Sequence, residues 1–179
     1  MGMAICMVEL TSIARGIETS DDMIKAAQVT LLRGTTVCPG KYMVIVGGET
    51  GAVRAALEAG LAKGGEFIVD SLLIPNVHEQ LFPAIAGTQE VVDPQAIGVV
   101  EFYSIASAIK AADAAAKAAQ VTLIEVRTGY AVGGKGYFTL TGDVGAVLAS
   151  VEAAEKQSEL YIGSTVIPRP SKQVLESLL

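Results

Sequence analysis

The feature that most constrains this chain is an internal duplication. Ala96-Ile97-Gly98-Val99-Val100-Glu101 repeats Ala4-Ile5-Cys6-Met7-Val8-Glu9, and Lys117-Ala118-Ala119-Gln120-Val121-Thr122-Leu123 repeats Lys25-Ala26-Ala27-Gln28-Val29-Thr30-Leu31. At a constant offset, roughly sixteen of the twenty-nine positions from Ala4 to Leu32 match their counterparts, far beyond what shared composition gives. Gly142-Asp143-Val144-Gly145-Ala146-Val147 then answers Gly48-Glu49-Thr50-Gly51-Ala52-Val53 at an offset larger by two. The extra residues therefore lie in the second copy of the loop between them, Arg127 to Lys135. A chain of 179 residues built this way is two small domains of one fold. We place them at 3–92 and 93–179, with Asp93-Pro94 as the linker.

Within the first copy, Ala4 to Leu10 reads as a buried strand and Thr11-Ser12 as a helix cap. Ile13, Ile17, Ile24 and Ala27 form the apolar stripe expected to face the core, weakened by Gly16 and Thr19-Ser20. Val29 to Val37 and Lys41 to Val46 are β-prone and flank Cys38-Pro39-Gly40, which predicts a hairpin with the cysteine on its turn. Glu49 to Lys63 reads as a helix closed by Gly64-Gly65, Glu66 to Ile74 as a strand stopped by Pro75, and His78 to Ile85 as a short helix interrupted near Pro83. The second copy runs through the same order. Strand, helix, strand, strand, helix, strand and small helix suit an α+β fold in which helices cover one face of an antiparallel sheet.

Half the residues are apolar, mean hydropathy is positive and there is no tryptophan, so the core is built of Ala, Val, Ile and Leu. Surface this apolar tends to be hidden in partners, which predicts an oligomer. A net charge of −6 and a pI near 4.8 argue against nucleic acid, because phosphate binding needs clustered Lys and Arg. The N-terminal stretch lacks the pattern of a signal peptide, and Cys6 stands where a myristoylation motif wants Ser or Thr. No stretch approaches the roughly twenty apolar residues of a membrane span. The expected setting is the cytosol, where two cysteines point to free thiols or a metal site rather than a disulfide.

The duplication repeats everything around Cys38 except the cysteine, and that asymmetry is the main functional clue. A thiol on a tight turn is a candidate metal ligand or a free thiol. Cys6 lies in an apolar strand opposite Gly98 of the repeat and reads as a small buried hydrophobe. The single histidine, His78, has no Ser, Cys or carboxylate placed to complete a triad, and no enzyme activity is expected. Glu9 and Glu101 recur through duplication and suit capping or interface roles. Gly129 to Lys135 spells most of a P-loop, but Gly136 replaces the Ser or Thr that would hold magnesium and a strand follows instead of a helix.

Several segments in order resemble the bacterial microcompartment shell proteins. They are Met7-Val8-Glu9-Leu10, Asp22-Met23-Ile24-Lys25-Ala26-Ala27-Gln28-Val29, Gly48-Glu49-Thr50-Gly51-Ala52-Val53 and Val166-Ile167-Pro168-Arg169-Pro170. Two unpermuted domains in one chain resemble the tandem-domain class, whose trimers imitate hexameric tiles and pack with them in a shell inside the cytoplasm. A cysteine in the first pore loop only is similar to a propanediol-utilisation branch in which three chains hold a [4Fe-4S] cluster on the threefold axis. The resemblance implies a pseudohexameric homotrimer binding one such cluster through Cys38 of each chain, for electron transfer across the shell to encapsulated redox enzymes. It implies a pore lined by Thr36, Val37, Pro39, Gly40, Gly133 and Gly134, and tile edges formed by Lys25, Lys117 and Arg169. The first copy has Ile74-Pro75-Asn76-Val77-His78 where the second carries Ile167-Pro168-Arg169-Pro170-Ser171, and so lacks that arginine. The alternative is a metal-free, gated pore for small molecules in which residues 35–41 recognise a polar metabolite.

Overall fold

The computed structural model describes residues 3–91 and 94–178; Asp93 of the expected linker lies outside them. The elements run β1 (Met3–Leu10), α1 (Ile13–Ala26), β2 (Thr30–Val37), β3 (Lys41–Glu49), α2 (Thr50–Gly64), β4 (Ile68–Ile74) and α3 (Leu81–Ala86). They are followed by β5 (Ala96–Phe102), α4 (Ile105–Ala118), β6 (Thr122–Thr128), β7 (Gly136–Gly142), α5 (Val144–Glu155), β8 (Tyr161–Pro168) and α6 (Lys172–Leu178). Two antiparallel sheets result, ordered β2-β3-β1-β4 and β6-β7-β5-β8, so each copy places its first strand inside the sheet and its hairpin at one side. The chain divides into two compact units, Met1–Glu79 with Tyr130–Gly134, and Gln80–Gly129 with Lys135–Leu179. No helix among the described residues is long and apolar enough to cross a membrane.

The copies agree in their local chemistry. Ser12 caps α1 by accepting the Arg15 N–H, and Ser104 caps α4 by accepting that of Ser107, each satisfying a donor that the first helical turn leaves free. Gly65 ends α2 at φ +52 and donates its N–H to the Leu61 carbonyl, a left-handed position that glycine occupies without a Cβ penalty. The first core lies between sheet and helices, where Ala4, Cys6, Val8 and Leu10 of β1 meet Val44 and Val46 of β3, Met23 of α1, and Val53 and Ala56 of α2.

Three sequence expectations are corrected. Glu66 to Ile74 is not one strand, because Gly65–Phe67 forms a 3₁₀ turn and β4 begins at Ile68. The short helix starts at Leu81, which places Pro83 in its first turns, where a missing N–H costs no helical bond. The stripe of α1 is reversed: Gly16, Thr19, Ser20 and Met23 are buried, whereas Ile13, Ile17 and Ile24 are exposed. The physical reason is proximity. A Cβ on Gly16 would lie 2.5 Å from the Cβ of Tyr42, so α1 approaches β3 too closely for a large residue, and Ser20 satisfies its hydroxyl on the Gly16 carbonyl.

Candidate functional site

Val37 and Lys41 are the last paired residues of the β2–β3 hairpin, which leaves Cys38-Pro39-Gly40 as its tip. Gly40 sits at φ +77, the conformation that lets so short a tip reverse. Val37 is buried, Thr36, Pro39 and Gly40 are exposed, and Cys38 is half-buried. The peptide before Pro39 is cis. Tyr130–Gly134, from the corresponding loop of the second copy, packs with this unit. Gly134 is buried at φ +82 so close to the tip that a Cβ there would lie 2.7 Å from the Cys38 carbonyl oxygen. Gly133, at φ +64, faces open space. Cys38, Pro39 and Gly134 therefore form one cluster of loop residues.

The two thiols differ. Cys6 is enclosed in the first core, and burial pushes its thiol up to about 12, so it stays protonated and inert at neutral pH. Cys38 is the accessible sulfur. No three His, Cys, Asp or Glu side chains among the described residues converge within the chain to hold a metal ion.

The hairpin bases carry an ion pair in each copy that sequence reasoning missed. Glu9 of β1 pairs with Lys41, the first residue of β3, and Glu101 of β5 pairs with Lys135 at 3.4 Å. Both partners of the two pairs are repeat counterparts, Glu9 and Glu101 at the first offset and Lys41 and Lys135 at the offset larger by two, so the duplication contained the signal once that shift is allowed for. The first pair is enclosed, with Glu9 only 2% exposed; in the second both side chains are 42% exposed. A second missed feature belongs to the second copy alone. The buried carboxylate of Glu125 accepts from Arg127 at 2.8 Å, from the Tyr137 hydroxyl at 3.2 Å and from Thr88 at 3.3 Å. Burial, then the Glu125 charge, raises the Tyr137 phenol above its ordinary range.

Lys25 and Lys117 stand in the last turns of α1 and α4, where a cation suits the helix dipole. Each pairs at 2.5 Å with the aspartate four residues earlier, Asp21 or Asp113. The hydrogen bond to Asp21 holds the Lys25 ammonium above the usual lysine range. Arg169, exposed just after β8, has φ +48 and donates its backbone N–H to the Gln95 carbonyl. Asn76, its counterpart in the first copy, has φ +53. The backbone turn survives there although the arginine does not. Gly136–Gly142 is strand β7, so the segment before it does not lead into the helix that a P-loop requires.

The BMC domain family matches the chain twice, over residues 4–77 and 96–170. This chain belongs to the bacterial microcompartment shell-protein family. It is 44% identical to the bacterial microcompartment shell protein PduT of Citrobacter freundii over 100% of this chain and 99% of that one. The carboxysome shell protein CsoS1 of Prochlorococcus marinus is 39% identical over 48% of this chain and 85% of its own length, the share expected when one BMC domain meets one copy of two. The crystal structure of a microcompartment protein from Desulfitobacterium hafniense superposes with a TM-score of 0.93 at 42% identity, covering 98% of this chain and 99% of that one. This tandem BMC protein is a structural tile of the microcompartment shell.

Proposed function

We propose that the tile closes head to tail into a homotrimer, a pseudohexamer whose Cys38 thiolates bind one [4Fe-4S] cluster at a central pore. Unequal burial of equivalent faces is the observation that carries the ring. On α1, Ile13, Ile17 and Ile24 are exposed, with Ile17 at 57%, whereas their counterparts on α4, Ile105, Ile109 and Ala116, are buried. On the sheets, Met7 and Met43 are buried, but their counterparts Val99 and Tyr137 are half-buried and line an open concavity of about 490 Å³, with buried Thr139, the counterpart of Ile45, in its wall. Thr139 there has a hydroxyl with no hydrogen-bond partner. One chain thus offers an apolar helix face and a concave sheet face. Two different faces that complement each other make a heterologous contact, which generates a ring when the rotation closes. Seating Ile13 and Ile17, each already partly covered, contributes about 1 kcal/mol each.

The donor chemistry of Cys38 fits an iron–sulfur group: it is a soft sulfur, accessible, on a tip fixed by Gly40 and backed by Gly134. One chain supplies one thiolate, so a multi-thiolate site calls for Cys38 from several copies, and three leave one iron of a cubane to an exogenous ligand. Bound there, the cluster supplies one-electron chemistry to encapsulated redox enzymes and occludes the opening. The residues of the chain hold the thiolates in place: Gly134 backs the Cys38 carbonyl, Gly133 and Gly40 reverse their loops, and Thr36 and Pro39 complete the lining, with Val37 buried behind them rather than lining the opening as the resemblance implied. Lys25, Lys117 and Arg169 serve the tile edge, against hexameric shell tiles.

The test is anaerobic purification of the wild type beside Cys38→Ser, with visible spectra, iron and sulfide assays and mass measurement. The expected result is a broad cluster band with about four irons per three chains, both absent from a Cys38→Ser trimer. A colourless, iron-free wild type after reconstitution overturns the cluster, and the metal-free small-molecule pore takes its place. Zinc in its stead would point to a three-thiolate site completed by water.

A further inference from the structure

Within the second unit, Gln80 fastens the small helix α3 to the outer strand β6. Its side-chain amide donates to the Val121 carbonyl at 3.0 Å, and its amide oxygen accepts the Leu123 N–H at 2.8 Å. α3 then lies along β6, with Leu81 fully buried and Leu123 only 1% exposed. The first copy has the same strand edge, but among the described residues no helix takes the place of α3 along it. Val29-Thr30-Leu31 is identical to Val121-Thr122-Leu123, and the turn before it is built alike, Val29 donating to the Ala27 carbonyl as Val121 does to that of Ala119. Yet Leu31, the counterpart of Leu123, is 45% exposed.

The missing fastener exists at the other end of the chain. Gln80 stands six residues after Ile74, and Gln173 stands six after Ile167, the residue matching Ile74 in the repeat. Gln173 is exposed on α6, and the next residue, Val174, in the place of buried Leu81, is 42% exposed. Donor and acceptor are therefore both present and both open in the single chain. We infer that α6 of one chain latches onto the β2 edge of the next copy, Gln173 donating to the Val29 carbonyl and accepting the Leu31 N–H, while Val174 and Leu31 cover each other. A free strand edge presents unpaired backbone groups that attract further strands, and the latch closes it. The latch rests on the head-to-tail ring proposed above and adds a second, specific contact to it.

Hydrogen exchange read at the Leu31 amide, together with particle mass, tests the latch in the full-length wild type and in Gln173→Ala. Gln173 is exposed in the chain, so its replacement leaves each protomer folded. The expected result is a trimer in both proteins, with Leu31 exchanging at least tenfold faster in Gln173→Ala and Leu123, held by Gln80, equally slow in both. Equal exchange of Leu31 in two trimeric proteins overturns the latch and leaves the ring standing. A wild type that stays monomeric at micromolar concentration overturns both.

Discussion

Removing the Lys41 ammonium should destabilise this protein far more than removing Lys135, although the two lysines hold the same place in the repeat. In Lys41→Met the Glu9 carboxylate stays enclosed without its counter-ion, and Asp70 stands opposite it in register on β4. Breaking one side of a buried pair costs about 3–5 kcal/mol. The Lys41 side chain retains 20% exposure, which places the expected loss near the lower end, about 3 kcal/mol. In Lys135→Met both original partners are 42% exposed, and the residue opposite Glu101 on β8 is Gly163 rather than a carboxylate. An exposed pair is worth about 0–1 kcal/mol. The assay is urea unfolding at pH 7 and fixed protein concentration, since association shifts apparent stability. Glu9→Gln combined with Lys41→Met should recover most of the loss, because a neutral pair no longer strands a charge. Equal costs for Lys41→Met and Lys135→Met, or no recovery in the double variant, would refute the reasoning.

Four further outcomes are expected. Gly134→Ala should lower iron per chain at least twofold while Gly133→Ala lowers it less, since both glycines have positive φ but only Gly134 meets the Cys38 carbonyl; iron analysis after reconstitution decides. Iodoacetamide at pH 8 should alkylate Cys38 and spare Cys6 in the native apo protein, as mass spectrometry of peptides would show. Because the folded thiol of Cys6 lies at about 12, above its unfolded value, it contributes stability that is complete below the unfolded value and lost as pH rises towards 12; Cys6→Ala should flatten that part of the unfolding profile. Gly98→Val should destabilise by about 1–3 kcal/mol in thermal melts, because a Cβ there lies 2.9–3.0 Å from Val151, Leu140 and Val147 side chains.

The repeat made the element order and the helix cap at Ser12 legible, because each rests on local chemistry that both copies state, while the turn residues after Cys38 placed that thiol at a hairpin tip in the first copy alone. Burial was less legible where it depends on what lies beyond the local segment. The isoleucines of α1 carry the helical period of a core face, yet Gly16 and Ser20 take that place because close packing on Tyr42 admits only small groups. Glu125, Arg127, Tyr137 and Thr88 form a network whose members come from three segments, and no spacing in the sequence announces it. Glu9 and Lys41 were legible in principle, since both recur together as Glu101 and Lys135, but only when the offset is applied to pairs rather than to single residues.

Fusing two copies in one chain has a stoichiometric consequence at the hairpin tips. A hexamer of identical single domains must present six of any residue at its axis, and six thiolates would exceed the four positions of a cubane and crowd negative charge together. Here the first tip is Cys38-Pro39-Gly40, while the second is longer and contains no cysteine. Duplication followed by divergence of one loop halves the thiol count, so the proposed homotrimer would bring three thiolates to the axis and leave one iron of the proposed cubane to an exogenous ligand.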